Sequence, residues 1–211
     1  MQPEAFVFDA YGTLYDVHSV AARCESCFPG KGAQLSLLWR AKQLEYTWQR
    51  SLMQRYAPFS TVTREALAYS CEALKLELSV AQMEALMSEY SNLAVYPEVA
   101  GTVSQLKVKK AVLSNGPPDM LLPLVKNSGL EFDAVISVDE LKIYKPAPQV
   151  YQLAVNKLNT RNIGFVSSNC WDAIGAKSFG FTVYWITPAG APIDPTGLKP
   201  DRILKSLDEI L

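Results

Sequence analysis

The chain has 211 residues, of which 49% are hydrophobic, and its formal net charge at pH 7 is −1. This length is enough to bury a full core, in one domain with an insertion or in two small domains. A net charge near zero gives no bulk attraction to nucleic acid or to an anionic membrane, so we expect neither as a partner. The sequence has no run of about 18 apolar residues and no basic segment before an apolar one at its start. We therefore expect a soluble, cytoplasmic protein.

The four cysteines are too few and too scattered for a disulfide framework, which suits a reducing compartment. Cys24 and Cys27 have redox spacing, but they lie in a stretch with a helical pattern. No second cysteine pair or histidine accompanies them, as a metal site would require. His18 is the only histidine and has only Asp16 as an acidic neighbour in sequence. We interpret Cys24, Cys27, His18 and Asp16 as structural or incidental.

The first predicted element is a strand at Ala5–Phe8, whose four residues are all apolar. An apolar run without alternation is typical of a strand buried on both faces of a parallel sheet. Asp9 follows this strand directly, and Gly12 then permits a tight loop. Because ligands bind beyond the carboxyl ends of strands in open α/β sheets, Asp9 is the first candidate for chemistry. An acid in this position can also simply cap the next turn.

A helical section follows, from about residue 17 to about residue 90, without a strand-like run. An apolar stripe at helical spacing predicts an amphipathic helix between Leu37 and Leu52. The stripe consists of Leu37, Ala41, Leu44, Trp48 and Leu52. We expect residues 16–96 to form an all-helical domain inserted after the first strand.

Two helix starts within this section can be predicted from capping residues. Thr61 or Thr63 is a candidate N-cap for the helix that runs to Leu74. Ser79 and Gln82 have the spacing of a capping box at the start of the next helix.

From about residue 97 the pattern changes to strands that alternate with helices, as βαβ units require. Four apolar runs predict strands at Ala111–Leu113, Ala134–Val138, Ile163–Val166 and Thr182–Ile186. Helices are predicted at about 99–106, 119–127, 148–158 and 172–179. A loop at 188–200 and a short helix complete the chain. The predicted fold class is α/β: residues 1–15 and 97–211 form a doubly wound, five-stranded parallel sheet, and the helical domain is the insertion.

Four stretches resemble, in the right order, the motifs of the haloacid dehalogenase-like superfamily. They are Asp9-Ala10-Tyr11-Gly12-Thr13-Leu14, Leu113-Ser114-Asn115-Gly116, Tyr144-Lys145-Pro146 and Ser167-Ser168-Asn169-Cys170-Trp171-Asp172. The resemblance covers nearly the whole chain and is closest to the L-2-haloacid dehalogenases. It implies a Rossmann-like core with a helical cap, a small 2-haloacid as substrate, water as co-substrate and a released halide. It is also compatible with a homodimer.

Two motifs distinguish this chain from the phosphatases of that superfamily. Those enzymes carry a second Asp two places after the nucleophile, where this chain has Tyr11, and a carboxylate-rich last motif, where it has Ser168 and Asn169. Only Asp9 and Asp172 are left as carboxylates for Mg²⁺, which prefers hard oxygen ligands in octahedral geometry. A departing halide needs no proton. These losses favour carbon–halogen cleavage, and we expect neither a metal nor another cofactor.

The resemblance also implies roles for single residues. It makes Asp9 the nucleophile that displaces halide with inversion and forms an ester, which water then splits to give a 2-hydroxy acid. It makes Lys145 the residue that holds Asp9 ionised and aligned. Thr13 and Ser167 would orient Asp9 through hydroxyl hydrogen bonds, although either hydroxyl could instead satisfy backbone groups.

For the water that cleaves the ester, the resemblance implies Asp172 as the activator, with Asn169 beside it. Tyr151, one turn into the helix after Lys145, resembles a supporting residue of the family. Its position is also compatible with a place in the core.

The two anionic ends of such a substrate require donors. Ser114 and Asn115 end the second strand, where side-chain and backbone N–H groups can bind a carboxylate. Arg40 lies at the edge of the predicted apolar stripe and could pair with Glu45, whereas the resemblance of its Trp-Arg-x-Lys-Gln-Leu stretch implies that it takes the halide. The wall that excludes water is expected to contain Tyr11, Leu44, Phe59 and Trp171. Ala41 stands where the relatives are expected to carry a larger polar residue.

Three functional hypotheses follow. The first is an L-2-haloacid dehalogenase. The second is a magnesium-dependent phosphatase or phosphomutase, which Tyr11 and Ser168 disfavour. The third is a catalytically silent binding protein, disfavoured because Asp9, Ser114, Lys145 and Asp172 are all present. Fold alone cannot decide among them, since function resides in the site.

Overall fold

The computed structural model describes residues 2–211 and consists of a parallel sheet with helices around it. Its strands are β1 (Ala5–Phe8), β2 (Lys109–Ser114), β3 (Ala134–Ser137), β4 (Ile163–Ser167), β5 (Thr182–Ile186) and β6 (Arg202–Leu204). Its helices are α1 (His18–Cys27), α2 (Gly32–Leu52), α3 (Phe59–Ala73), α4 (Val80–Glu89), α5 (Val99–Gln105), α6 (Pro118–Ser128), α7 (Pro148–Leu158) and α8 (Cys170–Phe179). Short 3₁₀ helices lie at Val138–Glu140 and Leu207–Ile210. Within the described part of the chain, no helix has the length and apolarity needed to cross a membrane.

The six strands form one sheet in the order β3-β2-β1-β4-β5-β6, and every neighbouring pair is parallel. β1 pairs with β2 on one side and β4 on the other, and all four of its residues are buried. The order of the strands along the chain reverses at β1, where a crevice opens beyond the carboxyl ends of the strands. Asp9 lies at this point. The predicted doubly wound α/β fold is confirmed.

The prediction for the end of the chain is wrong in one respect. We predict a loop and a short helix after β5, but Arg202–Leu204 pairs with β5 as a sixth strand before the last 3₁₀ helix. This strand has three residues at the edge of the sheet, and Ile203 is 54% exposed. So short a segment shows neither alternation nor a continuous apolar run.

The predicted apolar stripe of α2 is also wrong. Leu37 and Leu52 are 75% and 85% exposed, and Ala41 is exposed as well. The buried face is instead formed by Gly32, Leu35, Trp39, Gln43 and Thr47. A helix turns about 100° per residue, so the true face is rotated by about one position from the predicted one. Gln43 and Thr47 are polar, but both make hydrogen bonds inside the protein, which removes most of the cost of burying them.

The two helix-start predictions have opposite outcomes. α3 begins at Phe59 after Pro58, so Thr61 and Thr63 lie inside the helix and the N-cap prediction is wrong. The capping box at the start of α4 is confirmed, because Ser79 Oγ accepts the Gln82 N–H and the Gln82 side chain accepts the Ser79 N–H.

Helices α1 to α4 lie between β1 and α5 in the chain, and two adjacent connections join them to the rest of the protein. Tyr15 and Val95 form an antiparallel bridge at this crossing, and the Asp16 N–H donates to Ala94 O. We propose that this crossing separates a core domain, residues 1–15 and 97–211, from a cap domain, residues 16–96. A pair of adjacent connections is what an insertion into a loop requires.

The residues interpreted as structural or incidental lie in α1 or just before it. The Asp16 carboxylate accepts the backbone N–H of His18 at the start of α1. Cys24 and Cys27 lie in α1 with free thiols, and Cys24 is fully buried.

Candidate active site

Asp9 lies directly beyond β1, and its two carboxylate oxygens have different surroundings. Oδ2 accepts hydrogen bonds from Asn169 Nδ2 at 2.7 Å, Thr13 Oγ1 at 3.1 Å and Ser167 Oγ at 3.5 Å. Oδ1 accepts only from Lys145 Nζ, at 3.0 Å. Asp9 is 6% exposed. Oδ2 is therefore held in place by three donors, whereas Oδ1 keeps a lone pair free for another partner.

Lys145 is buried between two carboxylates. Its Nζ lies 3.0 Å from Asp9 Oδ1 and 2.8 Å from Asp172 Oδ2, and only 1% of the residue is exposed. Burial alone would lower the pKa of Lys145, but the two carboxylates outweigh it and raise that pKa above its ordinary value. The Lys145 backbone N–H donates to Asn115 Oδ1 at 3.1 Å, which ties the loop before α7 to the end of β2. Lys145 is thus a fixed cation beside Asp9.

Asp172 lies in the first turn of α8 and is fully buried. Its Oδ2 accepts from Lys145, and its Oδ1 accepts the Tyr151 hydroxyl at 2.8 Å. Burial raises the pKa of Asp172 to about 6, because it penalises the charged carboxylate more than Lys145 and Tyr151 favour it. Burial also raises the pKa of Tyr151 well above its ordinary value, so its hydroxyl stays protonated and donates. Tyr151 is therefore both a core residue and a partner of Asp172.

Asn169 places an amide NH₂ group where two acceptors meet. Its Nδ2 donates to Asp9 Oδ2 at 2.7 Å and to the Tyr11 backbone oxygen at 3.2 Å. Both partners are acceptors, so the NH₂ group, and not the amide oxygen, must face them. Across residues 2–211, no three His, Cys, Asp or Glu side chains are grouped to hold a metal ion. This donor set does not fit Mg²⁺, which requires oxygen ligands at such a place.

Thr13 joins the two loops that carry the acids. Its hydroxyl donates to Asp9 and accepts the Ser168 backbone N–H at 2.9 Å, so it orients the carboxylate and also satisfies a backbone group. Ser168 Oγ donates to the Gly12 oxygen at 2.6 Å. Gly12 has a φ of +84°, a conformation that favours glycine in this tight turn. The sequence identified Ser168 only as a departure from the phosphatase pattern, and its role as a tie between the loops was missed.

Aromatic side chains pack close to residues of this polar centre. Tyr11 and Phe59 are buried with ring centroids 6.2 Å apart, and Trp171 packs edge-on against Trp48 at 5.8 Å. Leu44 and Trp171 are half-buried. The Tyr11 hydroxyl and the indole N–H groups of both tryptophans are buried without a hydrogen-bond partner in the described structure. Trp48 was identified only as part of a helix stripe, because its contact with Trp171 joins residues distant in sequence.

Arg40 does not form the ion pair with Glu45 that its spacing allows. Glu45 pairs instead with Lys42 at 2.7 Å. The guanidinium of Arg40 has no hydrogen bond or ion pair with any residue of the described chain. Arg40 is half-buried and lies near Tyr11 and Tyr90. Burial raises the pKa of both tyrosines, and the positive charge of Arg40 partly opposes that rise. The guanidinium is therefore available to an anion beside Tyr11.

Two donors remain at the end of β2. Ser114 is fully buried, and its Oγ accepts the Gly116 N–H at 3.0 Å, which leaves the hydroxyl hydrogen available. Asn115 uses its Oδ1 to accept from Lys145, which leaves its NH₂ group without a partner within residues 2–211. These groups lie near the loop that carries Asp9, since a Cβ built at Gly116 would be 3.0 Å from the Tyr11 hydroxyl.

The structure places a buried carboxylate and a buried lysine beyond β1 of a parallel sheet, and four helices are inserted after that strand. The family model of haloacid dehalogenase-like hydrolases matches residues 3–180. This chain therefore belongs to the haloacid dehalogenase-like hydrolase family.

Within the family, the chain is similar to curated dehalogenases over nearly its whole length. It is 44% identical to an (S)-2-haloacid dehalogenase of Pseudomonas sp. (strain YL), over 99% of this chain and 93% of that one. It is also 44% identical to haloacetate dehalogenase H-2 of Moraxella sp. (strain B), over 99% and 96%. Its structure is similar to that of L-2-haloacid dehalogenase from Xanthobacter autotrophicus with chloropropionic acid covalently bound. That match has a TM-score of 0.92 and 41% identity, and covers 100% of this chain and 97% of the other.

Proposed function

We propose that this protein hydrolyses short-chain L-2-haloacids to 2-hydroxy acids with inversion, through an ester of Asp9. One observation carries the proposal. The Asp9 carboxylate has one oxygen held by three donors and the other, Oδ1, beside the Lys145 ammonium with a lone pair free. That is the arrangement of an oriented carboxylate nucleophile.

In the first half-reaction, Asp9 Oδ1 attacks the carbon that bears the halogen. The new carbon–oxygen bond forms as the carbon–halogen bond breaks, and the halide leaves with the electron pair and needs no proton. Arg40, which lacks a protein partner, would bind the halide, while Ser114 and Asn115 would bind the substrate carboxylate. Tyr11, Leu44, Phe59 and Trp171 would exclude water from this step.

In the second half-reaction, water attacks the carboxyl carbon of the Asp9 ester and not the substrate carbon. Asp172 would accept a proton from this water, and Lys145 would favour the negative charge that develops on the ester oxygen. Only the acyl bond of Asp9 then breaks, so the configuration set at the substrate carbon in the first step is kept. The departing oxygen takes up the proton that Asp172 accepted, and the new Asp9 carboxyl group releases its proton to solvent. The product is a 2-hydroxy acid whose hydroxyl oxygen comes from Asp9.

The direct test is halide release from the two enantiomers of 2-chloropropionate and from chloroacetate. We expect release from the L enantiomer, with D-lactate as the product, and none from the D enantiomer, because a site that fixes both the carboxylate and the halide presents the carbon of only one enantiomer to Asp9. Chloroacetate is included because a Moraxella relative is named a haloacetate dehalogenase. If none of the three compounds releases halide, the proposed function is wrong.

We expect a chelator to leave the activity unchanged. The amide of Asn169 bridges Asp9 and the Tyr11 backbone oxygen. The Lys145 ammonium already forms ion pairs with the carboxylates of Asp9 and Asp172. The measurement is halide release before and after incubation with EDTA and dialysis. A loss of activity that Mg²⁺ restores would contradict the proposal and support a phosphatase.

The pH dependence of kcat should report the ionisation of Asp172. Burial raises the pKa of Asp172 to about 6, and only its ionised form can accept a proton from water. Above this pH the carboxylate is ionised and kcat should be level. Below it kcat should fall by about tenfold per pH unit when hydrolysis of the ester limits turnover.

Tyr151→Phe provides the matched control for this pH profile. The Tyr151 hydroxyl lowers the pKa of Asp172, so its removal should shift the acidic limb to higher pH without abolishing activity. A wild-type kcat that stays level well below pH 6, or a limb that does not move in Tyr151→Phe, would contradict the assignment of Asp172.

A further inference from the structure

A buried polar network joins three of the four helices inserted after β1. The Tyr90 hydroxyl donates to Gln43 Oε1 at 3.0 Å, and Gln43 Nε2 donates to Thr63 Oγ1 at 3.0 Å. Trp39 Nε1 donates to the Thr63 backbone oxygen at 2.8 Å. Each of these residues is at most 2% exposed. The network therefore links α2, α3 and the end of α4 in a dry interior.

Such a network is sensitive to geometry in a way that apolar packing is not. Apolar contacts have little directional preference, whereas a buried amide that loses its partners leaves unsatisfied polar groups. Gln43 uses both ends of its amide, one toward α3 and one toward Tyr90. The network thus specifies one rotation of α2 about its own axis.

Arg40 lies on α2 three residues before Gln43, on the neighbouring turn. Its guanidinium has no hydrogen bond or ion pair within residues 2–211, so no protein acceptor fixes its direction. The Tyr90 ring packs edge-on against Trp39 at 5.3 Å and against Tyr11 at 6.0 Å. The same tyrosine that closes the network therefore also touches the loop that carries Asp9.

We propose that Gln43, Thr63 and Tyr90 are positioning residues for Arg40, which fix the rotation of α2 so that the guanidinium meets an anion beside Tyr11. This inference rests on the proposed function for the identity of that anion, a halide. None of the three residues makes a hydrogen bond to Asp9, and they act only through the direction in which Arg40 leaves its helix.

The test is a double-mutant cycle with Gln43→Met and Tyr90→Phe, each alone and combined with Arg40→Lys. Gln43→Met keeps the length of the side chain and removes both hydrogen bonds, and we expect kcat/KM for L-2-chloropropionate to fall about tenfold. Inhibition by bromide should weaken in parallel. In the Arg40→Lys background, neither substitution should cause a further loss, because the side chain that they position has already been altered.

Thr47→Val is the matched control. Thr47 lies on the same buried face of α2, one turn beyond Gln43, and its hydroxyl bonds only within its own helix, to Leu44 O. The substitution removes a buried hydroxyl that makes no hydrogen bond to the network. We expect kcat/KM and bromide inhibition to stay within about twofold of the wild type, even if the protein unfolds at a somewhat lower temperature.

Losses that add to that of Arg40→Lys, or unchanged bromide inhibition, would show a purely structural role and overturn the inference. If Gln43→Met does not fold, Tyr90→Phe decides alone, since it removes a single hydroxyl. Bromide binding can also be followed by the shift in melting temperature, which requires no turnover. A wild type that binds bromide through Arg40 and this network but releases no halide would refute the proposed function and leave this inference standing.

Discussion

Asp9→Asn should abolish halide release while the protein still folds. The amide has the shape of the carboxylate, and its oxygen can accept the hydrogen bonds of Thr13, Asn169 and Ser167. Its NH₂ group then faces Lys145 in place of Oδ1, and an amide nitrogen is a poor nucleophile because its lone pair is delocalised into the carbonyl group. Loss of a covalent nucleophile lowers turnover by about 10⁴-fold or more.

Halide release by the purified variant, with its melting temperature, provides the measurement. Mass spectrometry must show that Asn has not reverted to Asp by deamidation. Asp16→Asn is the matched control, because it makes the same change in an acid that accepts the His18 N–H and makes no hydrogen bond to Asp9, and its activity should be that of the wild type. Release near the wild-type rate by intact Asp9→Asn would remove Asp9 from the mechanism.

The parts of the fold that the sequence predicts correctly are those whose signal is local. β1 and β5 are continuous apolar runs, and their predicted bounds are those of the structure. The capping box of Ser79 and Gln82 involves residues three positions apart. β6 has three residues and is defined by its pairing with β5, so its own sequence carries no comparable signal.

The buried face of α2 depends on contacts that are distant in the chain. Gln43 and Thr47 are polar, and periodicity alone assigns such residues to the solvent. Gln43 can be buried because Thr63 and Tyr90 satisfy its amide group. These partners lie 20 and 47 positions away in the chain. Periodicity alone takes no account of these partners and places Leu37 and Leu52 in the core. Both are exposed in the structure.

The polar centre of the site could be located from sequence because three of its residues directly follow or end parallel strands. Asp9, Ser114 and Ser167 are brought together by the common carboxyl edge of β1, β2 and β4. Their proposed roles come from the family resemblance, since spacing alone allows capping or backbone hydrogen bonds as well. The contact of Trp48 with Trp171 depends on the rotation of α2, so the sequence did not predict it.

Asp172→Asn should separate the two half-reactions. Attack of Asp9 on carbon needs no base, whereas water needs an acceptor for its proton, so the variant should form the ester and hydrolyse it slowly. In rapid mixing with L-2-chloropropionate we expect a burst of about one halide per site, followed by slow turnover. Mass spectrometry of the intact protein should find the added acyl group, and digestion should place it on the peptide that contains Asp9.

The result depends on whether Asp172 acts on water or through Lys145. Lys145 touches both carboxylates, so loss of the charge on Asp172 could also disturb Asp9. In Asp172→Asn the new amide oxygen can still accept from Lys145, which should keep the ammonium beside Asp9 and preserve the first step. A mechanism in which Asp172 directs water straight onto the substrate carbon forms no ester. It predicts a uniformly slow variant without a burst or added mass. That outcome, in a variant that still binds substrate and with Asp16→Asn reacting as the wild type does, would exclude the ester mechanism.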